Sequence, residues 1–154
     1  MTSRTYFTVS FEKGKVVVHT SVSGSVGGVE FDLEGKYPDA PSTSSLARDL
    51  GCYFRGEVVD LKVPIDLSRE TPFRRKVYLT VMGLERGVTA TYGEVARLAG
   101  SPGGARAVGQ AMAANRYPLF IPCHRVVAGS GELGGFSSGR ELKRYLLRLE
   151  GLAV

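Results

Sequence analysis

The hydrophobic pattern of this chain changes its period once, and that change constrains the fold more than any other feature. The first third is rich in β-branched and aromatic residues, and Lys-Gly and Gly-Gly pairs that favour turns separate its apolar stretches, RTYFTVSF, KVVVHT and VEFDL. From residue 71 onward, apolar residues recur at helical spacing. DLSRETP at 66–72 fits neither pattern. We therefore predict an α+β protein, with a β-rich domain at 1–68 and a helical domain at 69–154.

Two further segments complete the first domain. PSTSSLARDLGCYFRG predicts a helix, because its apolar residues fall on one helical face. They are Leu46, Leu50, Tyr53 and Phe54. EVVDLKVPIDL indicates an extended segment, and Pro64 limits it to an edge or an end because proline cannot donate to a strand ladder.

Local signals delimit the first and last helices of the second domain. Thr71 and Pro72 supply an N-cap and a proline at the first helical position, and Gly87 is expected to end that helix. Ser138 and Glu141 have the spacing of a capping box for the last helix. Its predicted buried face consists of Leu142, Tyr145, Leu146 and Leu149. Its basic face, Arg140, Arg144 and Arg148, is expected to be solvated rather than bound to a partner.

Two short helices between these form a pair. TYGEVARLAG begins with Thr91 and has Glu94 three residues later, which is a capping box. SPGGARAVGQAMAAN predicts a helix that begins at Ser-Pro and ends near Asn115. A turn of three or four residues containing glycine and proline would join them. This is the shape of a helix-turn-helix.

Composition sets broad limits on the protein. The chain has 154 residues and is 43% hydrophobic, with no apolar run long enough for a membrane span. The N-terminal stretch lacks the features of a signal peptide, so we expect an intracellular protein. Cys52 and Cys123 are far apart and have no metal-ligand spacing with the two histidines, which argues against a zinc site. We expect both thiols to be free.

The chain is basic, with a net charge of +5 and an isoelectric point near 9.4, which favours an anionic partner such as nucleic acid. In the second helix of the pair, Ala105, Val108 and Met112 should face the core. The opposite face combines small residues with one cation: Arg106, Gly109, Gln110 and Ala113. Such a face suits either close approach to DNA or packing against another helix.

The segment IPCHRVV leaves two interpretations open. Cys123 is either a small buried hydrophobe or a nucleophile activated by its neighbours. His124 is a nearby base, and Arg125 adds positive charge that favours a thiolate. We expect the segment to be extended. Because neighbours on a strand point to opposite faces, His124 should then act on Cys123 through a water or a turn.

Two other polar residues also have alternative roles. Tyr92 lies in the first turn of its helix, where it is either an aromatic at the edge of the core or a group that donates a proton or contacts a phosphate. Asn115 lies at a helix C-terminus, a position that is structural when considered alone.

Taken together, these segments resemble one family, the O6-alkylguanine–DNA alkyltransferases, also called methylated-DNA–protein-cysteine methyltransferases. The resemblance spans residues 71–151 and depends on TPFRRKVY, TYGEVARLAG, ARAVGQAM, Asn115, IPCHRVV and GGFSSGRELKRYLLRLEG. It implies that the N-terminal domain is RNase H-like, although that part matches only in general shape. It also implies repair of O6-alkylguanine, and of O4-alkylthymine, by irreversible transfer of the alkyl group to the protein, with one turnover per molecule.

The resemblance assigns roles to individual residues. Cys123 would accept the alkyl group, His124 would activate it through a water, and Glu150 would hold the histidine. Asn115 would brace the turn that places the cysteine. Tyr92 would donate a proton toward the guanine, which must be flipped out of the duplex before its oxygen can be reached.

The same resemblance assigns the DNA contacts. Arg106 would fill the gap left in the duplex, while Gly109 and Ala113 would allow the helix into the minor groove. The remaining residues would shape the guanine pocket: Val126 and Ser137 through their backbone, and Pro118 and Phe136 as walls. The implied partner is double-stranded DNA carrying an alkylated guanine. No cofactor, metal or membrane is implied, and the protein is expected to be a cytoplasmic or nucleoid-associated monomer.

Four positions depart from the family pattern. Phe136 and Tyr78 replace residues that are often tyrosine and tryptophan, Arg116 follows Asn115 where proline is common, and Gln110 is larger than usual. Two competing hypotheses remain. A non-catalytic helix-turn-helix regulator or damage sensor is disfavoured by the presence of Cys123, and a thiol hydrolase would need a direct Cys–His contact and repeated turnover.

Overall fold

The structure, a computed structural model, describes residues 5–154, so Arg4 of the first predicted strand lies outside it. The chain divides into two compact units, Met1–Ile65 and Asp66–Val154. The first unit contains β1 (Thr5–Phe11), β2 (Gly14–Thr20), β3 (Val26–Asp32) and α1 (Ser45–Phe54). The second contains α2 (Pro72–Met82), β4 (Ala90–Thr91), α3 (Tyr92–Leu98), α4 (Ala105–Ala113), a 3₁₀ helix (Cys123–Arg125), β5 (Val126–Val127) and α5 (Arg140–Leu149). The predicted α+β class is confirmed.

The first unit is an antiparallel sheet with one helix. Its strands are in the order β1-β2-β3, and the central strand contributes Val16, Val17 and Val18, which are fully buried. The predicted helix is confirmed as α1. Ser44 caps it by accepting a hydrogen bond from the backbone N–H of Ala47.

One prediction for the first unit is wrong, and another is only partly met. The Gly27-Gly28 pair lies inside β3 and not in a turn, because the pairing with β2 shifts register between His19 and Thr20 and leaves Gly27 as a bulge. EVVDLKVPIDL, at 57–67, pairs with no strand among the described residues. Pro64 lacks the N–H that a ladder requires, so the predicted extended segment does not add to the sheet.

The helix α2 begins as predicted and ends earlier than predicted. Thr71 caps it by accepting from the N–H of Arg74, with Pro72 at the first position. The helix ends at Met82, where the N–H of Gly83 bonds back to the carbonyl of Thr80 and tightens the last turn. Gly87 is not its end; it lies in the following turn with φ of 80°.

The helix pair is present, but its turn is longer than predicted. Thr91 caps α3 by accepting from the N–H of Glu94. The second helix, α4, begins at Ala105 and not at Ser-Pro, so residues 99–104 separate the two helices. Ser101 starts a tight turn instead, because its carbonyl accepts from Gly104 N–H at 2.9 Å.

The last helix and a two-stranded parallel pair position the site. The predicted Ser138–Glu141 capping box is wrong: α5 begins after Gly139, and no side chain caps it. Its buried face is Leu142, Lys143, Leu146 and Leu147, while Tyr145 and Leu149 are half-buried. The pairing of β4 with β5 sets Ala90 opposite Val126. This brings the start of α3 beside the segment that contains the cysteine.

Within residues 5–154, every helix is too short or too polar to cross a membrane.

Candidate active site

The cysteine lies on a single turn of 3₁₀ helix. The expectation of an extended IPCHRVV segment is wrong, because the N–H of Arg125 bonds to the carbonyl of Pro122 at 2.9 Å and closes a turn. Cys123 is 6% exposed and His124 is fully buried. Among the described residues there is no direct hydrogen bond between the Cys123 thiol and the His124 ring, so an intervening group is needed for proton transfer.

Asn115 closes the loop that leads to the cysteine. Its Nδ2 donates to the carbonyl of Ile121 at 2.9 Å, and its Oδ1 accepts from the N–H of Tyr117 at 2.9 Å. Both bonds stay within the loop, so this side chain fixes the approach of the chain to Cys123. Within that loop Leu119 has φ of 75°, the one left-handed non-glycine residue of the described chain.

Glu150, the C-cap of α5, holds both residues that follow the cysteine. Its Oε2 lies 2.7 Å from Nε2 of His124. The Arg125 guanidinium donates to both carboxylate oxygens, at 2.8 and 3.0 Å, and to the carbonyl of Leu84 at 2.6 Å. A carboxylate can only accept, so the proton of the imidazole lies on Nε2. Nδ1 is then a free acceptor, and it has no partner among the described residues.

Burial sets the direction of both pKa shifts at the site. It raises the pKa of the Cys123 thiol, and the hydrogen bond from Asn115 and the charge of Lys143 act in the opposite direction. Burial also lowers the pKa of His124, although the hydrogen bond and the negative charge of Glu150 act to raise it. Arg125 was expected to favour the thiolate of Cys123, and this prediction is wrong. Its guanidinium forms an ion pair with Glu150 instead.

Lys143 is the site residue that sequence reasoning missed. Its buried Nζ donates to the carbonyls of Val126 at 2.6 Å and Gly135 at 3.2 Å, and burial lowers its pKa to about 8. It therefore ties β5 to the loop that precedes α5. The signal in the sequence was a single lysine within the apolar face of α5. Because burying a lysine without hydrogen-bond partners is costly, a lysine at such a position indicates that the fold supplies partners.

A cavity of about 480 Å³ opens beside the thiol. It is lined by Tyr92, Gly109, Met112, Ala113, Cys123, Gly135, Phe136 and Ser137. The hydroxyl of Tyr92 donates to the carbonyl of Gly135 at 3.5 Å. The volume lies within the range of about 300–1,000 Å³ that is usual for small-molecule sites. The cavity is therefore large enough to hold a small ligand next to Cys123.

The structure brings most of the predicted residues together. Tyr92, Gly109, Ala113, Cys123, Phe136 and Ser137 line the cavity. Within the described chain, His124, Asn115 and Glu150 do not line it: Asn115 holds the loop before the cysteine, and Glu150 holds His124. Among the described residues, Pro118 and Val126 are not part of the lining. Arg106 is exposed on the outer side of α4.

The charge of the chain is concentrated in the unit that carries the cavity. Asp66–Val154 contains 13 Lys and Arg against 7 Asp and Glu, whereas Met1–Ile65 contains 7 against 8. In the described part of the chain, no group of His, Cys, Asp and Glu is arranged to hold a metal ion. The site thus combines a buried thiol, a histidine–carboxylate pair and a basic surrounding surface.

Known proteins are similar to this chain in both sequence and fold. The family described as 6-O-methylguanine DNA methyltransferase, DNA binding domain, matches residues 72–152. A methylated-DNA–protein-cysteine methyltransferase of Mycobacterium tuberculosis is 42% identical over 113 residues, which cover 73% of this chain and 68% of that protein. Another, of Saccharolobus islandicus, is 42% identical over 123 residues, which cover 79% and 78%.

A solved structure extends the similarity to the whole fold. The crystal structure of Mycobacterium tuberculosis OGT in complex with DNA matches with a TM-score of 0.81 at 33% identity, covering 94% of this chain and 92% of that one. This chain belongs to the 6-O-methylguanine DNA methyltransferase family.

Proposed function

We propose that this protein repairs alkylated DNA by transferring the alkyl group of O6-alkylguanine, and of O4-alkylthymine, to Sγ of Cys123. One observation carries the proposal: in a chain of this family, the Cys123 thiol lines a cavity of about 480 Å³, and the next residue, His124, is held by the carboxylate of Glu150. The reaction is a displacement at the alkyl carbon, in which the S–C bond forms as the C–O bond breaks. The product is a thioether, so each molecule reacts once.

The proton path follows from the hydrogen bonds. Nδ1 of His124 is the free acceptor, and through one water it would take the thiol proton as Sγ attacks. Glu150 holds the ring in the tautomer that leaves Nδ1 unprotonated and stabilises the charge that develops on it. Tyr92 would donate toward the departing guanine, and the proton taken from the thiol replaces the one it gives. The net result is guanine and an alkylated cysteine.

The DNA contacts follow from the position of the cavity. Gly109 and Ala113 of α4 line it, and their small side chains would let this helix lie close to the minor groove. Arg106, exposed on the same helix, would occupy the gap left by the flipped nucleotide. The backbone of Ser137 would hold the base, and Phe136 would stack against it. The carbonyl of Val126, which already accepts from Lys143, would accept from the base through its second lone pair. Pro118 would support this pocket from the neighbouring loop.

The intact mass of the protein tests the proposal. We expect incubation with a duplex containing O6-methylguanine to add one methyl group per molecule, and Cys123→Ala to add none. An unchanged mass together with tight binding to the duplex would instead indicate a non-catalytic damage sensor. Repeated turnover would indicate a hydrolase. Because the target is chromosomal DNA, we further propose a cytoplasmic or nucleoid-associated protein that acts as a monomer.

A further inference from the structure

The helix α4 carries two polar side chains, and both are exposed. Its sequence is ARAVGQAMA, in which Arg106 and Gln110 are the only polar residues. They are four residues apart and therefore lie on one side of the helix, one turn from each other. The residues beside them, Gly109 and Ala113, line the cavity that contains Cys123. Gln110 thus lies at the edge of the site, on the surface proposed to contact DNA.

The amide of Gln110 has no hydrogen-bond partner among the described residues. It carries two N–H donors and one carbonyl acceptor, held above a surface of alanine and glycine that offers neither. Arg106 is likewise unpaired among the described residues, but it can only donate. On the outer surface of α4, Gln110 is therefore the one side chain that can accept a hydrogen bond from a ligand.

The minor groove presents one donor that such an acceptor can recognise. A·T and T·A pairs show only acceptors there, whereas a G·C pair adds the N2 amino group of guanine. We propose that Gln110 accepts a hydrogen bond from this amino group on a base pair that flanks the lesion, so that the protein repairs O6-alkylguanine faster next to a G·C pair. This rests on the proposed function, and it adds a preference for sequence context.

The helix geometry limits which base pairs are within reach. Four residues of an α-helix rise about 6 Å, and base pairs are stacked about 3.4 Å apart. If Arg106 occupies the gap left by the flipped nucleotide and α4 runs along the groove, Gln110 reaches the first or second pair from it. The relevant positions are therefore the two base pairs on either side of the lesion.

Inosine provides a sharp test, because it pairs with cytosine but lacks the N2 amino group. Duplexes with one O6-methylguanine would carry either G·C or I·C at each of the four flanking positions, with the purine on either strand. Single-turnover rates would be measured by intact mass for the wild type, Gln110→Ala and Gln110→Met. Methionine keeps the length of the side chain and removes its hydrogen bonds.

An I·C pair has one hydrogen bond fewer than a G·C pair and opens more easily, so the two variants give the baseline ratio of the two rates. We expect the ratio of the G·C rate to the I·C rate to be about two- to tenfold higher in the wild type than in either variant at one flanking position, the worth of one hydrogen bond. Equal ratios in the wild type and the variants at every position would overturn the inference. If no duplex adds a methyl group to the wild type, the proposed function itself has failed, which is a separate outcome.

Discussion

Glu150 accepts a hydrogen bond from Nε2 of His124 at 2.7 Å, and both side chains are buried. The bond decides which nitrogen of the ring can act as a base, because it leaves the lone pair on Nδ1. Arg125 donates two hydrogen bonds to the same carboxylate and neutralises its charge. Glu150 therefore controls the tautomer of the histidine, and the arginine stabilises Glu150.

Glu150→Gln is expected to slow alkyl transfer by about 10²-fold or more, the usual contribution of a positioned general base. A glutamine amide can present its N–H₂ to His124, which would move the proton to Nδ1 and remove the free acceptor. The measurement is the single-turnover rate with O6-methylguanine DNA, scaled to the folded fraction seen by circular dichroism. Glu141→Gln is the matched control, since Glu141 is an exposed acid on the same helix. Equal rates for the two variants would exclude this role for Glu150.

The pH dependence of the reaction should follow the shifted pKa of His124. Burial lowers this pKa, so the ring remains neutral and able to accept a proton below the ordinary value of about 6.5. We expect the rate with the free base O6-benzylguanine to stay constant down to pH 6.5 and to fall only below it. In His124→Gln the rate should instead rise with pH into the alkaline range, because burial raises the pKa of Cys123. Identical profiles for the two proteins would contradict the relay.

The lowered pKa of His124 also determines how the stability of the protein should depend on pH. The unfolded chain protonates this histidine near pH 6.5, whereas the folded protein does so only at lower pH. Protons therefore favour the unfolded state, and the free energy of unfolding should fall as the pH drops below about 6.5. Urea denaturation between pH 5 and 7.5 would measure this slope, which His124→Gln should reduce.

The sequence predicted the parts of this molecule that depend on neighbouring residues. The caps at Thr71 and Thr91 are local hydrogen bonds, and both are present as predicted. The start of α4 was missed because Ser101-Pro102 is an equally good turn signal, and the hydrogen bond from Gly104 selects the turn. Local signals therefore place helices well and their ends less well.

The site was predictable only where residues are adjacent or match the family pattern. Cys123 and His124 are neighbours in sequence, and Glu150 came from the resemblance. The pairing of Arg125 with Glu150 and the burial of Lys143 depend on how α5 packs against the cysteine segment. No spacing rule reports such contacts, and so the sequence assigned to Arg125 the electrostatic role that Lys143 has.

Lys143→Gln tests that role. Loss of the cation should raise the pKa of the Cys123 thiol further, since Lys143 is the charged group that lowers it. We expect the pH profile of thiol alkylation by iodoacetamide to move to higher pH, and transfer from DNA to slow at neutral pH. Lys76→Gln is the control, an exposed lysine on α2. An unchanged profile in Lys143→Gln would show that the lysine only anchors the carbonyls of Val126 and Gly135.

A side chain at position 134 is expected to destabilise the protein, because it would collide with the ring and hydroxyl of Tyr92. A Cβ there would lie 2.6 Å from the Tyr92 hydroxyl oxygen, and φ is 77°. Gly131 has a similar φ of 83° with nothing within 4 Å, so Gly131→Ala carries the backbone cost alone, about 1–2 kcal/mol. Gly134→Ala should lose more stability in urea denaturation, and it should also react more slowly because Tyr92 is displaced. Equal effects of the two substitutions would remove Tyr92 from the explanation.

Arg106→Ala separates duplex opening from chemistry. If Arg106 fills the space left by the flipped nucleotide, its loss should slow repair of duplex DNA by about tenfold or more, because flipping itself costs a few kcal/mol. The reaction with free O6-benzylguanine requires no flipping and should change much less.

Arg97→Ala removes one exposed cation from α3 and controls for the loss of charge, which weakens DNA binding through counterion release. Comparing the two variants at several salt concentrations distinguishes the roles: a purely electrostatic Arg106 would lose its effect at high salt as Arg97 does, whereas a residue that fills the stack would not. Equal losses with duplex DNA and with the free base would contradict the proposed insertion of Arg106.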